Sequence, residues 1–381
     1  MRILHIVNNL TNRGNGIINV TIDLASEQKK NGHDVAIVAG GGEFTELVRA
    51  LGIQYYFLEQ SRSAGNLIGA VARMRRIVRE FKPDIIHAHM RTGLVLAWIC
   101  SRFPRVPLVG HLHNVHDPES RMMRIADRVI AVSQSVKETM SRDAIPVSKF
   151  RVVLNGPLDS PRNTAIDLLK PRPLQRPAIT TVAGMNHRKG IAELLRAFEL
   201  IANEFPNAHL YLVGDGPEKT LFEGQAAGLA SRDRIHFEGC QSDPQAYMLA
   251  TDIFVLASRR DSIGLVLMEA RQAGCAIVAT AVDGIPEALD QGRAGVLVPA
   301  EDPVTLAATF RELLHDDALR RSWQLKAREG CEFFSCSRMT ADVQDIYQEL
   351  VPDAFSRADR REMQPKMAES QPERRGLELR R

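Results

Sequence analysis

Three loops in this chain carry residues suited to gripping an anionic, hydroxyl-rich ligand. The first is Arg13-Gly14-Asn15-Gly16, which opens a helix at Ile17. Gly14 and Gly16 let a ligand approach the backbone, and a helix N-terminus favours negative charge by roughly 0.3–1 kcal/mol. The full GxGxxG pattern is absent, so no nicotinamide or flavin fingerprint is present, and a plain tight turn is the alternative reading. The second loop, Ala183-Gly184-Met185-Asn186-His187-Arg188-Lys189-Gly190, runs into a helix with Ile191, Leu194, Leu195 and Phe198 on its buried face. Lys189 stands at the start of that helix, the end where a carboxylate would serve stability better, so an anion bridging the ammonium and the free amides is expected. The third is Ser258-Arg259-Arg260-Asp261-Ser262-Ile263-Gly264-Leu265-Val266-Leu267-Met268-Glu269. Asp261 and Glu269 flank a run of amides at a helix start, which suits phosphate oxygens on the amides and sugar hydroxyls on the carboxylates. The alternative makes Asp261 an N-cap and Glu269 a surface residue.

These loops need elements that bring them together. Short β-branched runs alternate with amphipathic stretches, the pattern of parallel sheets with crossover helices. The first set of strands reads Ile3–Val7, Val35–Ala39, Gln54–Leu58, Ile85–His89, Leu108–Leu112, Arg128–Val132 and Arg151–Leu154. Between Asp159 and Pro177 the pattern collapses into aperiodic Pro, Arg, Asn and Leu. It restarts at Ile179–Ala183, His209–Val213, Ile235–Phe237, Ile253–Leu256, Ala276–Ala279 and Gly295–Val298. The expected architecture is α/β, two Rossmann-like, doubly wound domains facing across a cleft, since open α/β sheets bind ligands beyond the carboxyl ends of their strands. The expected boundaries are 1–160 for an acceptor domain, 161–177 for a linker and 178–336 for a donor domain. A helix follows at 337–352, then a charged, disordered tail at 353–381.

At 381 residues with 44% hydrophobic and 25% charged positions, the chain is of globular composition and long enough for two cores. The net charge of +3 arises in the tail, where eight cationic and five anionic side chains follow Ser356, so no basic face for nucleic acid is expected. The tail reads as solvated, or else as a weak tether to an anionic membrane surface. Five scattered cysteines without a CxxC pair favour a reducing compartment, and no apolar run approaches a membrane span or signal peptide, so a cytoplasmic protein is expected. His111-x-His113-x-x-His116-Asp117 approaches an HxHxDH metal-ligand set, but Val115 stands where Asp is required, and no metal is expected. His87 and His89, alternating on a strand end, read as structural.

The run Asp261-x7-Glu269-Ala270 resembles the acidic-x7-Glu signature of the family-4 retaining glycosyltransferases, whose architecture is the two-Rossmann GT-B fold. The resemblance extends to about Leu350. It is carried by Pro83-Asp84-Ile85-Ile86-His87-Ala88-His89, His111-Leu112-His113, Ala126 to Ser133, Asn155-Gly156, Lys189-Gly190, Gly214-Asp215-Gly216-Pro217-Glu218, Ala250-Thr251-Asp252, Gly284-Ile285-Pro286-Glu287 and Gly295 to Val298. It implies a retaining transfer of a sugar from a UDP-, GDP- or ADP-sugar to a glycan or lipid-linked acceptor, without metal or other cofactor, in bacterial cell-surface polysaccharide or lipopolysaccharide synthesis. Peripheral contact with the inner membrane follows by the same resemblance, as does a 337–352 helix that crosses back onto the N-terminal domain. His113 is implied near the reaction centre, Lys189 on the diphosphate, Asp261 facing the transferred sugar and Glu269 on the ribose. Gly14, Gly16, Arg188, Ser262, Ile263, Gly264, Leu265 and Val266 are implied in donor binding.

Two positions depart from the family pattern. Met185 stands where an Arg usually follows the strand-ending glycine, which removes a guanidinium fork from the diphosphate; His187 or Arg188 are the nearest substitutes. Asp261 replaces the usual Glu and reaches one methylene less. The alternatives are a non-catalytic nucleotide-sugar binder, favoured by Met185, and a GT-B sugar-nucleotide epimerase or phosphorylase-like enzyme, whose lysine-bound cofactor context and acidic constellations are not evident.

Overall fold

The computed structural model describes residues 1–11, 15–60, 64–103, 105–115 and 118–352, so Gly14, His116, Asp117 and the 353–381 tail lie outside the described residues. In the first half, β1 (Arg2–Ile6), β2 (Asp34–Ala39), β3 (Gln54–Phe57), β4 (Ile85–Ala88), β5 (Leu108–Leu112), β6 (Arg128–Ala131) and β7 (Phe150–Val152) form one sheet in the order β3-β2-β1-β4-β5-β6-β7. In the second half, β8 (Ala178–Val182), β9 (His209–Val213), β10 (Ile235–Gly239), β11 (Ile253–Leu256), β12 (Ala276–Thr280) and β13 (Val296–Val298) form the other, in the order β10-β9-β8-β11-β12-β13. Every pairing is parallel. Both strand orders reverse beside the first strand of their half, so each sheet has a switch point there. All thirteen expected strands are present; the central ones are buried and read as near-continuous apolar runs, while edge strands such as β3 and β10 are partly exposed.

The expected doubly wound α/β architecture holds. Its exception in connectivity is the final helix, Cys336–Leu350. Met339, Val343, Ile346 and Tyr347 of this helix pack with Ile3, Val20, Leu24, Ile85, Val109, Ile130 and Val153, so it completes the core of the first half. The return is steered by Gly156, whose hypothetical Cβ would lie 2.2 Å from the Ser335 carbonyl oxygen. Leu158 and Ser335 form a parallel bridge at the same crossing. The Asn155-Gly156 motif thus has a structural use, since only a residue without a side chain lets the two backbones meet.

The halves also meet directly at the carboxyl ends of their strands. The Ser133 hydroxyl donates to the Ser262 carbonyl at 2.8 Å, and the Glu287 carboxylate accepts from the amides of Gln134 (2.7 Å) and Ser135 (3.0 Å). Glu287 therefore caps the Gln134–Asp143 helix of the opposite half, where exposed N–H groups and the helix dipole favour a carboxylate. No helix among the described residues is long and apolar enough to cross a membrane.

Candidate active site

The loops after β8 and β11 lie side by side at the second sheet's switch point. The β8 loop forms one 3-10 turn, His187–Lys189, before Gly190 turns into the Ile191–Ile201 helix. This corrects the expectation for Lys189: it precedes the helix rather than opening it, and Glu193 occupies the first helical turn. Gly190 is required here, with φ at +64° and a Cβ position 1.8 Å from the Ala257 carbonyl oxygen, so the turn can press against the end of β11. That contact carries Lys189 to its partner. Its Nζ donates to Asp261 Oδ2 at 2.5 Å, with the lysine side chain 19% and the aspartate 13% exposed.

Asp261 is held from several directions. Its Oδ1 accepts from the Gly264 amide at 3.1 Å, and its own amide donates to Asp283 at 2.9 Å. Burial pushes its carboxyl upward, but Lys189 and the amides of Gly264 and Ile263 outweigh that and hold it below the usual aspartate value. Ser262 and Ile263 are buried, and the Gly264 amide is already taken by Asp261. The next amides, Leu265 and Val266, begin the Leu265–Ala273 helix and have no acceptor among the described residues. An ammonium and a helix tip thus sit at one place, as an anion site requires.

Glu269, further along this helix, accepts from the Gln245 side chain at 3.1 Å. Burial raises its carboxyl to about 7, against the pull of Arg162. Arg162 belongs to the connection between the halves and forms a two-pronged pair with the buried Asp23 of the Gly16–Lys30 helix, at 2.7 and 2.8 Å. Sequence reasoning missed Asp23, Arg162 and Gln245, which have no motif around them; only the fold brings them to Glu269.

Across the gap, Gly16 opens its helix with Asn15 capping it, and a Cβ at Gly16 would lie 2.9 Å from Leu265 Cδ1. Gly16 and the Leu265–Ala273 helix are therefore neighbours. Arg188 is exposed, and its side chain has no hydrogen bond or ion pair among the described residues. Met185 is fully buried in the core of the second half, and His187 is bonded to Arg259 at 2.8 Å. A guanidinium could not occupy the Met185 site without breaking that core.

His113 directly follows β5. It belongs to a group of five imidazoles spread over β1, β4 and β5 and the residues that follow the last two. His5 Nδ1 and His89 Nε2 are 3.0 Å apart, and His89 Nδ1 and His113 Nε2 are 3.1 Å apart. His5 Nε2 lies 2.7 Å from Gln28 Oε1, and His87 Nδ1 lies 2.5 Å from the Tyr347 hydroxyl. Burial lowers His5 to about 4 and His113 to about 3, and His87, His89 and His111 well below the usual histidine value. Two trios offer ring nitrogens within 4.8 Å of one another, His5-His87-His89 and His89-His111-His113. Each trio contains a pair whose nitrogens already face each other at hydrogen-bond distance. The clue available in the sequence was the repeated His-x-His at the ends of β4 and β5.

Residues 169–330 match the family described as Glycosyl transferases group 1, and residues 14–157 match Glycosyltransferase Family 4. The lipopolysaccharide core biosynthesis glycosyltransferase LpsD of Rhizobium meliloti is 31% identical over 258 residues, 65% of this chain and 70% of that protein. The chain belongs to the family-4, group 1 glycosyltransferases. The N-acetyl-alpha-D-glucosaminyl L-malate synthase of Bacillus anthracis is 25% identical to this glycosyltransferase over 89% of the chain and 95% of that protein. The crystal structure of Anabaena HepE in complex with UDP and glucose shares the fold, with a TM-score of 0.79 at 22% identity, covering 92% of this chain and 100% of HepE. The two sheets are those of a GT-B protein.

Proposed function

We propose that this glycosyltransferase moves a sugar from a nucleoside-diphosphate sugar to a hydroxyl acceptor with retention at the anomeric carbon, in the synthesis of a bacterial cell-surface polysaccharide or lipopolysaccharide. The observation that carries the reading is the Lys189 ammonium beside the tip of the Leu265–Ala273 helix, at the second sheet's switch point. The departing diphosphate gains charge as the glycosidic bond breaks, and preorganised cations and amide dipoles stabilise it there. This chemistry uses the protein's own charge, and the reading includes no resident metal or cofactor. In it, Lys189, Leu265 and Val266 hold the diphosphate, and Arg188 reaches it from solvent in place of the guanidinium that Met185 lacks. Ser262, Ile263 and Gly264 shape the sugar side, Asp261 faces the transferred sugar, Gly16 borders it and His113 approaches the reaction centre. LpsD and HepE support the pathway class and a uridine donor, since one is named for lipopolysaccharide core synthesis and the other was solved with UDP and glucose.

The test is a melting screen against UDP, GDP and ADP followed by incubation with the matching sugars. A ligand at 100 times its dissociation constant adds about 2.7 kcal/mol of stability, enough to name the base. Slow donor hydrolysis supports the transferase. Binding without any turnover supports the second reading, a silent nucleotide-sugar binder, which the burial of Met185 favours.

Glu269 carries the ribose in this reading, and only its ionised form is a full acceptor. Its carboxyl ionises around pH 7, so affinity for the nucleoside diphosphate rises as pH climbs through that value. Glu269→Gln should weaken binding at pH 8 by about tenfold or more, the worth of a hydrogen bond to a charged group, and flatten that component of the pH profile. Titration calorimetry from pH 6 to 8 checks it; an unchanged profile removes Glu269 from the nucleotide.

The reading extends to peripheral membrane contact. The Ala64–Phe81 helix turns Arg73, Arg75, Arg76 and Arg79 outward, and near an anionic surface each such cation contributes about 1 kcal/mol. Arg73→Glu with Arg76→Glu should reduce co-sedimentation with anionic vesicles several-fold. Equal sedimentation of the variant and the native protein would detach this helix from the membrane.

A further inference from the structure

The imidazoles near β1, β4 and β5 are arranged in two ways. His111 and His113 lie face to face with ring centroids 4.1 Å apart, and His87 and His89 likewise at 4.4 Å. His5 and His89 have centroids 5.3 Å apart with nitrogens at 3.0 Å, and His89 and His113 have 5.4 Å with 3.1 Å. Separations of that kind arise when rings meet edge to edge, nitrogen toward nitrogen. Gln28, His5, His89 and His113 therefore make a continuous line of hydrogen bonds from the Gly16–Lys30 helix to the end of β5.

A neutral imidazole has one N–H and one lone pair, so a line of them has a direction. The direction here is decided at Gln28. The Tyr347 hydroxyl lies 2.5 Å from His87 Nδ1. Gln28 Nε2 donates to that hydroxyl at 3.4 Å, and Gln28 Oε1, which can only accept, faces His5 Nε2 at 2.7 Å. His5 donates from Nε2 to Gln28, His89 from Nε2 to His5, and His113 from Nε2 to His89. The proton of His113 is thereby fixed on Nε2, and its Nδ1 is a bare lone pair with no partner among the described residues.

We propose that Gln28, through His5 and His89, is a positioning residue that holds His113 as the Nε2–H tautomer, so that Nδ1 accepts a hydroxyl hydrogen bond at the end of β5. The hydroxyl partner, from sugar or acceptor, rests on the proposed transfer reaction; the tautomer does not. The groups facing the line are Gln28 and Tyr347 from the two helices and His87 and His111 from the neighbouring positions. Among the described residues no carboxylate, lysine or arginine is hydrogen-bonded or ion-paired to any of the five rings. All five are held neutral by burial, so the line is one of neutral tautomers.

The experiment is a long-range proton–nitrogen correlation spectrum of the full chain labelled with 15N-histidine, without any donor present. The expected result is an unprotonated Nδ1 and a protonated Nε2 at His5, His89 and His113. Gln28→Met removes the anchoring acceptor and should shift His113 toward a mixture of tautomers, whereas Gln28→Glu keeps an acceptor and should restore Nε2–H. Nδ1–H at His113 in the native protein overturns the proposal, as does an unchanged His113 in a natively folded Gln28→Met protein. Should Gln28→Met fail to fold, the native spectrum alone decides. Because no sugar nucleotide enters this measurement, its failure is separate from that of the transfer reaction.

Discussion

Replacing Lys189 with alanine should lower turnover by about 10²–10³-fold, the usual cost of one preorganised donor to a developing charge, while the fold stays intact. The structure adds a second cost. Lys189 is paired with Asp261 at 2.5 Å, so the alanine variant leaves a buried carboxylate at the proposed diphosphate site without its counter-charge. Asp261 keeps the amides of Gly264 and Ile263, which favour its ionised form. Lys189→Ala should accordingly bind nucleoside diphosphate worse than the double variant Lys189→Ala with Asp261→Asn, in which the repulsion is gone. Calorimetric affinities for the two proteins, alongside steady-state turnover, check both parts. Near-native turnover by Lys189→Ala would take the lysine out of the mechanism, and equal affinities would show that Asp261 does not face the anion.

Acid should unfold the protein well above the range where carboxylates usually govern acid denaturation. His5, His87, His89 and His111 are essentially inaccessible to solvent, and burial lowers each below the ordinary histidine value of 6.5. Below pH 6.5 the unfolded chain takes up protons that the folded chain refuses, so stability is present above that pH and is lost as pH falls. Each such group contributes about 1.4 kcal/mol per pH unit, and four together amount to roughly 5 kcal/mol one unit below 6.5. That is comparable with the whole stability of an ordinary domain, about 5–15 kcal/mol. Glu269 works in the opposite direction, since a carboxyl raised to about 7 loses stability as pH rises from its ordinary value, but it is one group against four. Urea titrations between pH 8 and 5 should show a steep fall below 6.5. His111→Phe should make the fall shallower, because both His111 nitrogens are buried without a partner in the native protein. A flat stability profile down to pH 5.5 would mean that the imidazoles are hydrated.

The strands were legible because their chemistry is local: short β-branched and apolar runs bounded by turn residues mark all thirteen, most plainly the buried central ones. The loops after β8 and β11 were legible for a related reason, since glycine, cation and carboxylate sit beside strand ends within a few residues. What the sequence could not carry was pairing at a distance. Lys189 and Asp261 are 72 positions apart, and each was assigned a ligand contact, while the fold first gives them each other. His87 with His89 and His111 with His113 were visible as alternating pairs. Their union with His5 depends on β1, β4 and β5 being neighbours in the sheet, where His5 and His87 share one register. Glu287 was recognisable only as part of a family motif, and its work as a cap on a helix of the other half needed the two halves in place.

The Cys336–Leu350 helix has a bearing on how the molecule is made. Its four apolar side chains close a face of the first sheet that begins at Ile3, and Tyr347 supplies the hydroxyl next to His87. A ribosome releases that sheet more than a hundred residues before it releases the helix. During synthesis the opening half therefore waits with a greasy, histidine-lined flank uncovered, while the later half has every strand it needs as soon as it emerges. Chaperones that shield nascent chains would find their binding surface on the part of the protein made first.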